Sequence, residues 1–195
     1  MNRSIDVYLS ISSPFSYLAW TRLPALAQRS GCEYRYHLID LARVWEQSDN
    51  PGPVSVESKL NYLITDAGRW AERYGVPLNL PGEFVFDNTP SCRVFEVVRE
   101  SGGEIPYIDS LMTSYWVGGQ NFAKPDVLAS CAAKAGVGEE KVTQALNDDA
   151  TLEASRQEAE QAVSQGIFGV PSFVVDGDLY WGNDRLDFLE RRLAC

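Results

Sequence analysis

The 195-residue chain contains no Cys-x-x-Cys pair, one histidine, two methionines and fewer basic than acidic residues. Its four cysteines, Cys32, Cys92, Cys131 and Cys195, lack the spacing of a zinc site or a dithiol redox centre, so neither is expected. Cys92 and Cys131 fall in helical patterns and read as packed thiols; Cys195 is a terminal residue. Thiols without a pairing pattern fit a reducing compartment, and the cytoplasm is the expected location. No stretch is long and apolar enough to span a membrane. Met1-Asn2-Arg3-Ser4-Ile5-Asp6-Val7 runs straight into strand-like sequence with an acid inside the apolar alternation, unlike a signal peptide. With 17 Lys and Arg against 27 Asp and Glu, the formal net charge is −10. Such a surface repels nucleic-acid phosphates and anionic lipid, so the expected partner is a small molecule. An anionic ligand would need positive potential supplied locally by its site.

What is present is enough apolar sequence, 45% of residues, for one good core or a core plus a lobe. Ile5–Ile11 alternates as a strand. A break at Ser12-Ser13-Pro14 leads into a helix through about Gln28, Gly31 ends that unit, and Glu33–Asp40 alternates again. Strand, helix and strand so close together predict a βαβ unit with parallel strands. From about Arg43 to Ser164 the pattern changes to loops and helices. Helices are predicted over Glu57–Tyr74, Ser91–Glu100, Ile105–Val117, Asp126–Ala135, Glu139–Asn147 and Leu152–Ser164. Strand signal returns at Ser172–Asp176 and Leu179–Trp181 around an Asp-Gly turn, a hairpin signature, before a last amphipathic helix. The order is β-α-β, a helical insertion, then β-β-α, with residues 1–42 and 165–195 as one domain and 43–164 as the inserted one.

Three short motifs sit where strands meet helices or begin. Ser13-Pro14-Phe15-Ser16 is ordinary helix-start grammar, Ser as cap and Pro in the first turn, yet a hydroxyl beside free backbone N–H groups is also an anion site. Gly169-Val170-Pro171-Ser172 reads as a plain turn, or as a cis proline presenting the Val170 backbone to a peptide-like ligand. Trp181-Gly182-Asn183-Asp184 can simply cap the last helix; with Arg185 adjacent it also offers donors and acceptors to a zwitterionic group. Each motif is weak alone, and their joint occurrence in this element order is strong. His37 reads as a strand residue and leaves Ser13 without an evident base, which disfavours Ser13 as the attacking group.

Ser13-Pro14-Phe15-Ser16-Tyr17-Leu18-Ala19, Ile39-Asp40-Leu41-Ala42-Arg43, Phe168-Gly169-Val170-Pro171 and Trp181-Gly182-Asn183-Asp184-Arg185-Leu186 resemble the 2-hydroxychromene-2-carboxylate isomerase family, which is related to the kappa-class glutathione transferases. The likeness spans nearly the whole chain, including Lys59-Leu60, Tyr62-Leu63, Arg69-Trp70-Ala71 and Tyr74-Gly75. It implies an α/β thioredoxin fold with a large all-helical insertion, a homodimer, glutathione as cofactor and a role in aromatic hydrocarbon breakdown, naphthalene catabolism included. The implied reaction interconverts 2-hydroxychromene-2-carboxylate and trans-o-hydroxybenzylidenepyruvate by reversible thiolate addition; a kappa-like transferase or peroxidase and a non-catalytic binding protein are the alternatives. Position by position, Ser13 resembles the catalytic serine that holds the glutathione sulfur. Val170 and Pro171 match the pair that meets the tripeptide backbone. Trp181, Gly182, Asn183 and Asp184 match the segment at its γ-glutamyl end. Trp45, Phe84, Asn88 and Arg185 are the expected substrate-side residues, and no metal site is implied. Three positions depart from the family pattern: Trp45 stands where a Lys is usual, Val54-Ser55-Val56 replaces a polar stretch, and Phe84 replaces a Tyr.

Overall fold

The computed structural model describes residues 4–82 and 84–194; Met1–Arg3, Glu83 and Cys195 lie outside that description. The expected strand order is present. Strand β1 (Ser4–Leu9) is followed by helices α1 (Pro14–Trp20) and α2 (Leu23–Ser30), β2 (Glu33–Leu38) and α3 (Leu41–Gln47). Helices α4 (Glu57–Tyr74), α5 (Thr89–Arg99), α6 (Glu104–Trp116), α7 (Pro125–Lys134), α8 (Glu139–Asn147) and α9 (Asp149–Ser164) come next. The hairpin β3 (Ser172–Val175) and β4 (Asp178–Trp181), then α10 (Leu186–Leu193), close the chain. The four strands form one sheet in the order β2-β1-β3-β4. β1 and β2 run parallel, with Ser4 opposite Glu33 and Leu9 opposite Leu38; β3 runs antiparallel to β1, and β4 antiparallel to β3. This is the thioredoxin fold with a helical insertion.

β1 is central, and its alternation decides what covers each face. Ile5, Val7 and Leu9 enter a large core with Leu18, Phe95, Tyr107, Trp116 and Phe173, so the inserted helices share the sheet's own core. Tyr8 faces the other way, into a smaller core with Ile39, Val44, Ala159, Ala162 and Val170, built by α3 and α9. On that face His37 stacks on Tyr8 at 4.4 Å between ring centroids. Its Nε2 lies 3.0 Å from Asp6 and its Nδ1 meets Glu158 of α9, while Arg35 and Arg99 complete the pairs to Asp6 and Glu158. His37 is thus a structural link between the sheet and α9.

Two local expectations are corrected. The first helix does not run unbroken to Gln28: it stops at Trp20 and restarts at Leu23, because Pro24 has no N–H to give to the preceding turn. The second strand ends at Leu38, and Asp40 leaves the strand to cap α3, accepting from the Ala42 N–H at 3.2 Å. An Asp followed by good helix formers was the available signal. Cys32, Cys92 and Cys131 are buried free thiols.

Candidate active site

The chain leaves β1 through Ile11-Ser12-Ser13 under tight hydrogen-bond control. The Trp116 indole donates to the Ile11 carbonyl at 2.8 Å. The Ser13 N–H reaches the Ser10 carbonyl at 3.2 Å, and the Ser10 N–H donates to Ser16 Oγ at 3.3 Å. Ser13 is the cap of α1: its Oγ accepts from the Ser16 N–H at 3.2 Å. The side chain is buried, with 7% of the residue exposed. That contact occupies an acceptor position of the hydroxyl and leaves its proton free, since no other partner of Ser13 Oγ occurs among the described residues. The N–H of Phe15 likewise has no partner among them, as expected for the open first turn of a helix.

Ser13 and Phe15 border a cavity of about 680 Å³, the size of a small-molecule site. Across it stands the 168–171 segment. The Val170–Pro171 peptide bond is cis, Val170 borders the cavity, and among the described residues neither its N–H nor its C=O is hydrogen-bonded. A buried backbone amide without a partner is a site prepared for one. The segment itself is fixed: Ser172 Oγ donates to the Gly169 carbonyl at 2.7 Å, and the Gly182 N–H to the Pro171 carbonyl at 2.9 Å. Trp181 lies over this strand end, half exposed, edge-on to Phe168 at 4.8 Å. A Cβ at Gly169 would come within 2.8 Å of its indole nitrogen, so a glycine is needed there.

The structure brings Ser13, Val170, Trp181, Trp45 and Phe84 onto one cavity wall. Other expected residues lie off it. Pro171, Gly182, Asn183 and Asp184 form the layer behind: Gly182 holds a φ of +111°, Asn183 is buried and donates to the Tyr74 hydroxyl at 3.3 Å, and Asp184 pairs with Arg185 at 3.1 Å. Arg185 leans over the Phe188 ring rather than into the cavity. Asn88, expected on the substrate side, is fully buried and spends its amide on protein partners, accepting from the Ser12 N–H at 3.2 Å and donating to Ser12 Oγ and the Phe86 carbonyl, each at 2.9 Å.

The remaining wall is mainly apolar. Trp45 rests against Gly52, where a Cβ would meet the indole at 2.7 Å, and Phe84 packs parallel to Phe86 at 6.1 Å. Asn50 ties the 50–53 loop to the Phe168 carbonyl at 3.0 Å. Among the described residues, the charged ones on the wall are Lys59 and Asp66, which α4 supplies with Tyr62 and Leu63. Sequence reasoning did not assign this group or Phe86 to the site. The signal was available for α4, because positions 59, 62, 63 and 66 form one helical face beside the buried one. Among the described residues no group of metal-ligating side chains is assembled, and no helix is long and apolar enough to cross a membrane.

A seryl-capped helix facing an unpaired cis-proline amide in a thioredoxin fold agrees with the family comparisons. Residues 4–194 match the DsbA-like thioredoxin domain. The chain belongs to that family and, within it, to the 2-hydroxychromene-2-carboxylate isomerases. The 2-hydroxychromene-2-carboxylate isomerase of Sphingobium xenophagum is 33% identical over 195 residues, covering 99% of each chain. A solved structure of a 2-hydroxychromene-2-carboxylate isomerase superposes with a TM-score of 0.85 at 33% identity, covering 98% of this chain and 94% of the other. Rat glutathione S-transferase kappa 1 is more distant, 24% identical over 201 residues, with 96% of this chain and 89% of the relative covered. In a fold that elsewhere includes disulfide oxidoreductases, this chain holds Ser13 and Ser16 at the start of α1 and has no sulfur there for dithiol exchange.

Proposed function

We propose that the protein is a glutathione-dependent isomerase that interconverts 2-hydroxychromene-2-carboxylate and trans-o-hydroxybenzylidenepyruvate, or a close aromatic keto-acid analogue. The observation that carries this reading is the Ser13 hydroxyl, its acceptor side engaged by Ser16 and its proton free, on the same cavity wall as the unpaired Val170 amide. A tripeptide laid along Val170 would gain the two main-chain hydrogen bonds that the fold leaves unmade. Its sulfur would then meet a donor rather than a base. When bound, glutathione supplies a thiolate that adds reversibly to the conjugated double bond and so lets it rotate.

The protein's task is to hold that sulfur ionised. A free thiol titrates near ~8.5, and keeping it ionised at neutrality requires a drop of about two units, or ~2.7 kcal/mol. Helix α1 is only seven residues long, so its terminus is assigned only the lower part of the usual contribution, ~0.3–1 kcal/mol. One charge-assisted hydrogen bond from Ser13 adds ~1.5–3 kcal/mol, and the free Phe15 N–H offers another donor. The serine is the main stabilising group. It is not the attacking group: His37 is engaged by Asp6 and Glu158, and no carboxylate or imidazole contacts Ser13 Oγ among the described residues.

A second reading, a kappa-like glutathione transferase, is favoured by the apolar wall at Trp45, Val54 and Phe84, which suits a generic hydrophobic electrophile. The same wall supports a preference within the first reading for larger or less polar ring systems. We further propose a homodimer in the cytoplasm, with residues 43–164 as the inserted domain. The deciding experiment follows absorbance after mixing the protein with 2-hydroxychromene-2-carboxylate, with and without glutathione. Fast equilibration only with glutathione is expected. Consumption of glutathione without isomerisation selects the transferase, and no change in either mixture rejects both assignments for this substrate.

A further inference from the structure

Asn88 has no exposed surface, and every polar atom of its side chain is satisfied by two segments of chain that both reach the cavity. One is the Ser12–Ser13 turn. The other is the strap that carries Phe84 and Phe86. The Asn88 backbone carbonyl in turn accepts from the Cys92 N–H and from Ser91 Oγ, at 3.0 and 2.8 Å, so the residue is anchored to the start of α5. From Ser12 the contacts continue inward. Ser12 Oγ lies 3.1 Å from Ser10 Oγ, the Ser10 N–H donates to Ser16 Oγ, and the Ser16 N–H donates to Ser13 Oγ. A buried, fully satisfied amide of this kind fixes geometry, because any displacement leaves a polar group unpaired.

We propose that Asn88 is a positioning residue that locks the Ser13 hydroxyl and the Phe84–Phe86 wall into one unit, so that the thiol-binding and substrate-binding halves of the cavity shift together. This rests on the reading above, in which Ser13 holds the sulfur of glutathione. The amide's two N–H groups are divided between the halves, one to Ser12 Oγ and one to the Phe86 carbonyl. Removing the amide releases both halves; removing the Ser12 hydroxyl breaks one of the two bonds to the Ser12–Ser13 turn, keeps the Ser12 N–H on Asn88 Oδ1, and leaves the strap in place.

The test titrates the ultraviolet thiolate absorbance of glutathione bound to the full-length protein, beside KM for the keto acid and circular dichroism, in wild type, Ser13→Ala, Asn88→Ala and Ser12→Ala. In Asn88→Ala the thiolate fraction at neutral pH should fall about three- to tenfold, and KM should rise on the order of fivefold. In Ser12→Ala the thiolate fraction should fall about two- to threefold with KM unchanged. A folded Asn88→Ala protein that keeps the wild-type thiol titration, whether or not KM moves, overturns the proposal; so does one whose titration shifts at unchanged KM. If Asn88→Ala does not fold, Ser12→Ala decides: an unshifted titration, or a KM that rises with it, rejects the link. Wild type and Ser13→Ala binding glutathione with the same thiol titration would instead reject Ser13 as the group that holds the sulfur, and this inference with it.

Discussion

The two halves of the cavity are built on opposite principles. On the side of Ser13 and Val170, backbone and side-chain polar groups are held in place: Ser10, Ser12, Ser16, Asn88 and Trp116 each make a contact of known direction. The few groups left unpaired are the ones a ligand would meet. On the side of Trp45, Val54, Phe84 and Phe86 the wall is shaped by packing, with Trp45 against Gly52 and Phe84 beside Phe86. Hydrogen bonds are directional and fix a geometry to tenths of an ångström, whereas apolar contact fixes only volume. Under the proposed function, the polar half would therefore specify one ligand chemistry and the apolar half would admit a range of rings.

The largest effect should come from removing the free side-chain donor on the polar side. Ser13→Ala should lower isomerisation about ten- to a hundredfold at neutral pH, the loss of one hydrogen bond to a charged sulfur, with an unchanged far-ultraviolet spectrum. Because the bound thiol would titrate higher, part of the loss should return as pH is raised; a pH–rate profile checks both. Next is the steric junction between the halves. Gly169→Ala pushes a methyl into the Trp181 indole and should weaken glutathione binding on the order of tenfold by calorimetry, leaving the keto-acid pocket intact.

A smaller effect is expected on the apolar side. Trp45→Lys should shift preference from a fused-ring towards a single-ring keto acid by about three- to tenfold in kcat/KM, with glutathione affinity unchanged. Unaltered preference would mean that the apolar wall does not select the substrate. The smallest effect on the site should come from the polar cluster on the far face of the sheet. Burial raises the Asp6 carboxyl, but hydrogen bonds from Arg35 and His37 outweigh it and hold the group below the ordinary range; Glu158 is lowered likewise, with His37 and Arg99 outweighing burial. A depressed carboxyl contributes stability above its unfolded pKa and loses it as pH falls through the folded one. The melting midpoint should therefore hold down to about pH 4 and drop below it, more shallowly in His37→Gln, while activity per folded molecule at neutral pH stays near wild type.

The same contrast explains what could be read in advance. Strand order, most helices and the three motifs were legible because alternation, Pro and Gly placement and capping residues are local signals. The α3 helix was missed because Asp40 can extend a strand or cap a helix; the Asp before good helix formers pointed to the cap, and the packing of Leu41 and Val44 against α9 fixes it. Asn88 was expected at the substrate and lies behind the wall instead, since no sequence pattern distinguishes an amide that meets a ligand from one that meets Ser12, 76 residues away. Phe86 carried no signal at all; an exposed aromatic residue acquires meaning only from the cavity beside it.

By itself the sequence determined the thioredoxin order of elements, the presence of serine where a redox enzyme needs sulfur, and the family, because these rest on local pattern and residue type. Only the tertiary structure decided that Val170 precedes a cis bond with its amide unpaired, that Ser13 keeps a free proton, and that α4 and the Phe84–Phe86 strap close the same cavity. Those features depend on contacts between residues far apart in the chain, and a hydrogen bond or a wall exists only once folding has brought both of its sides together.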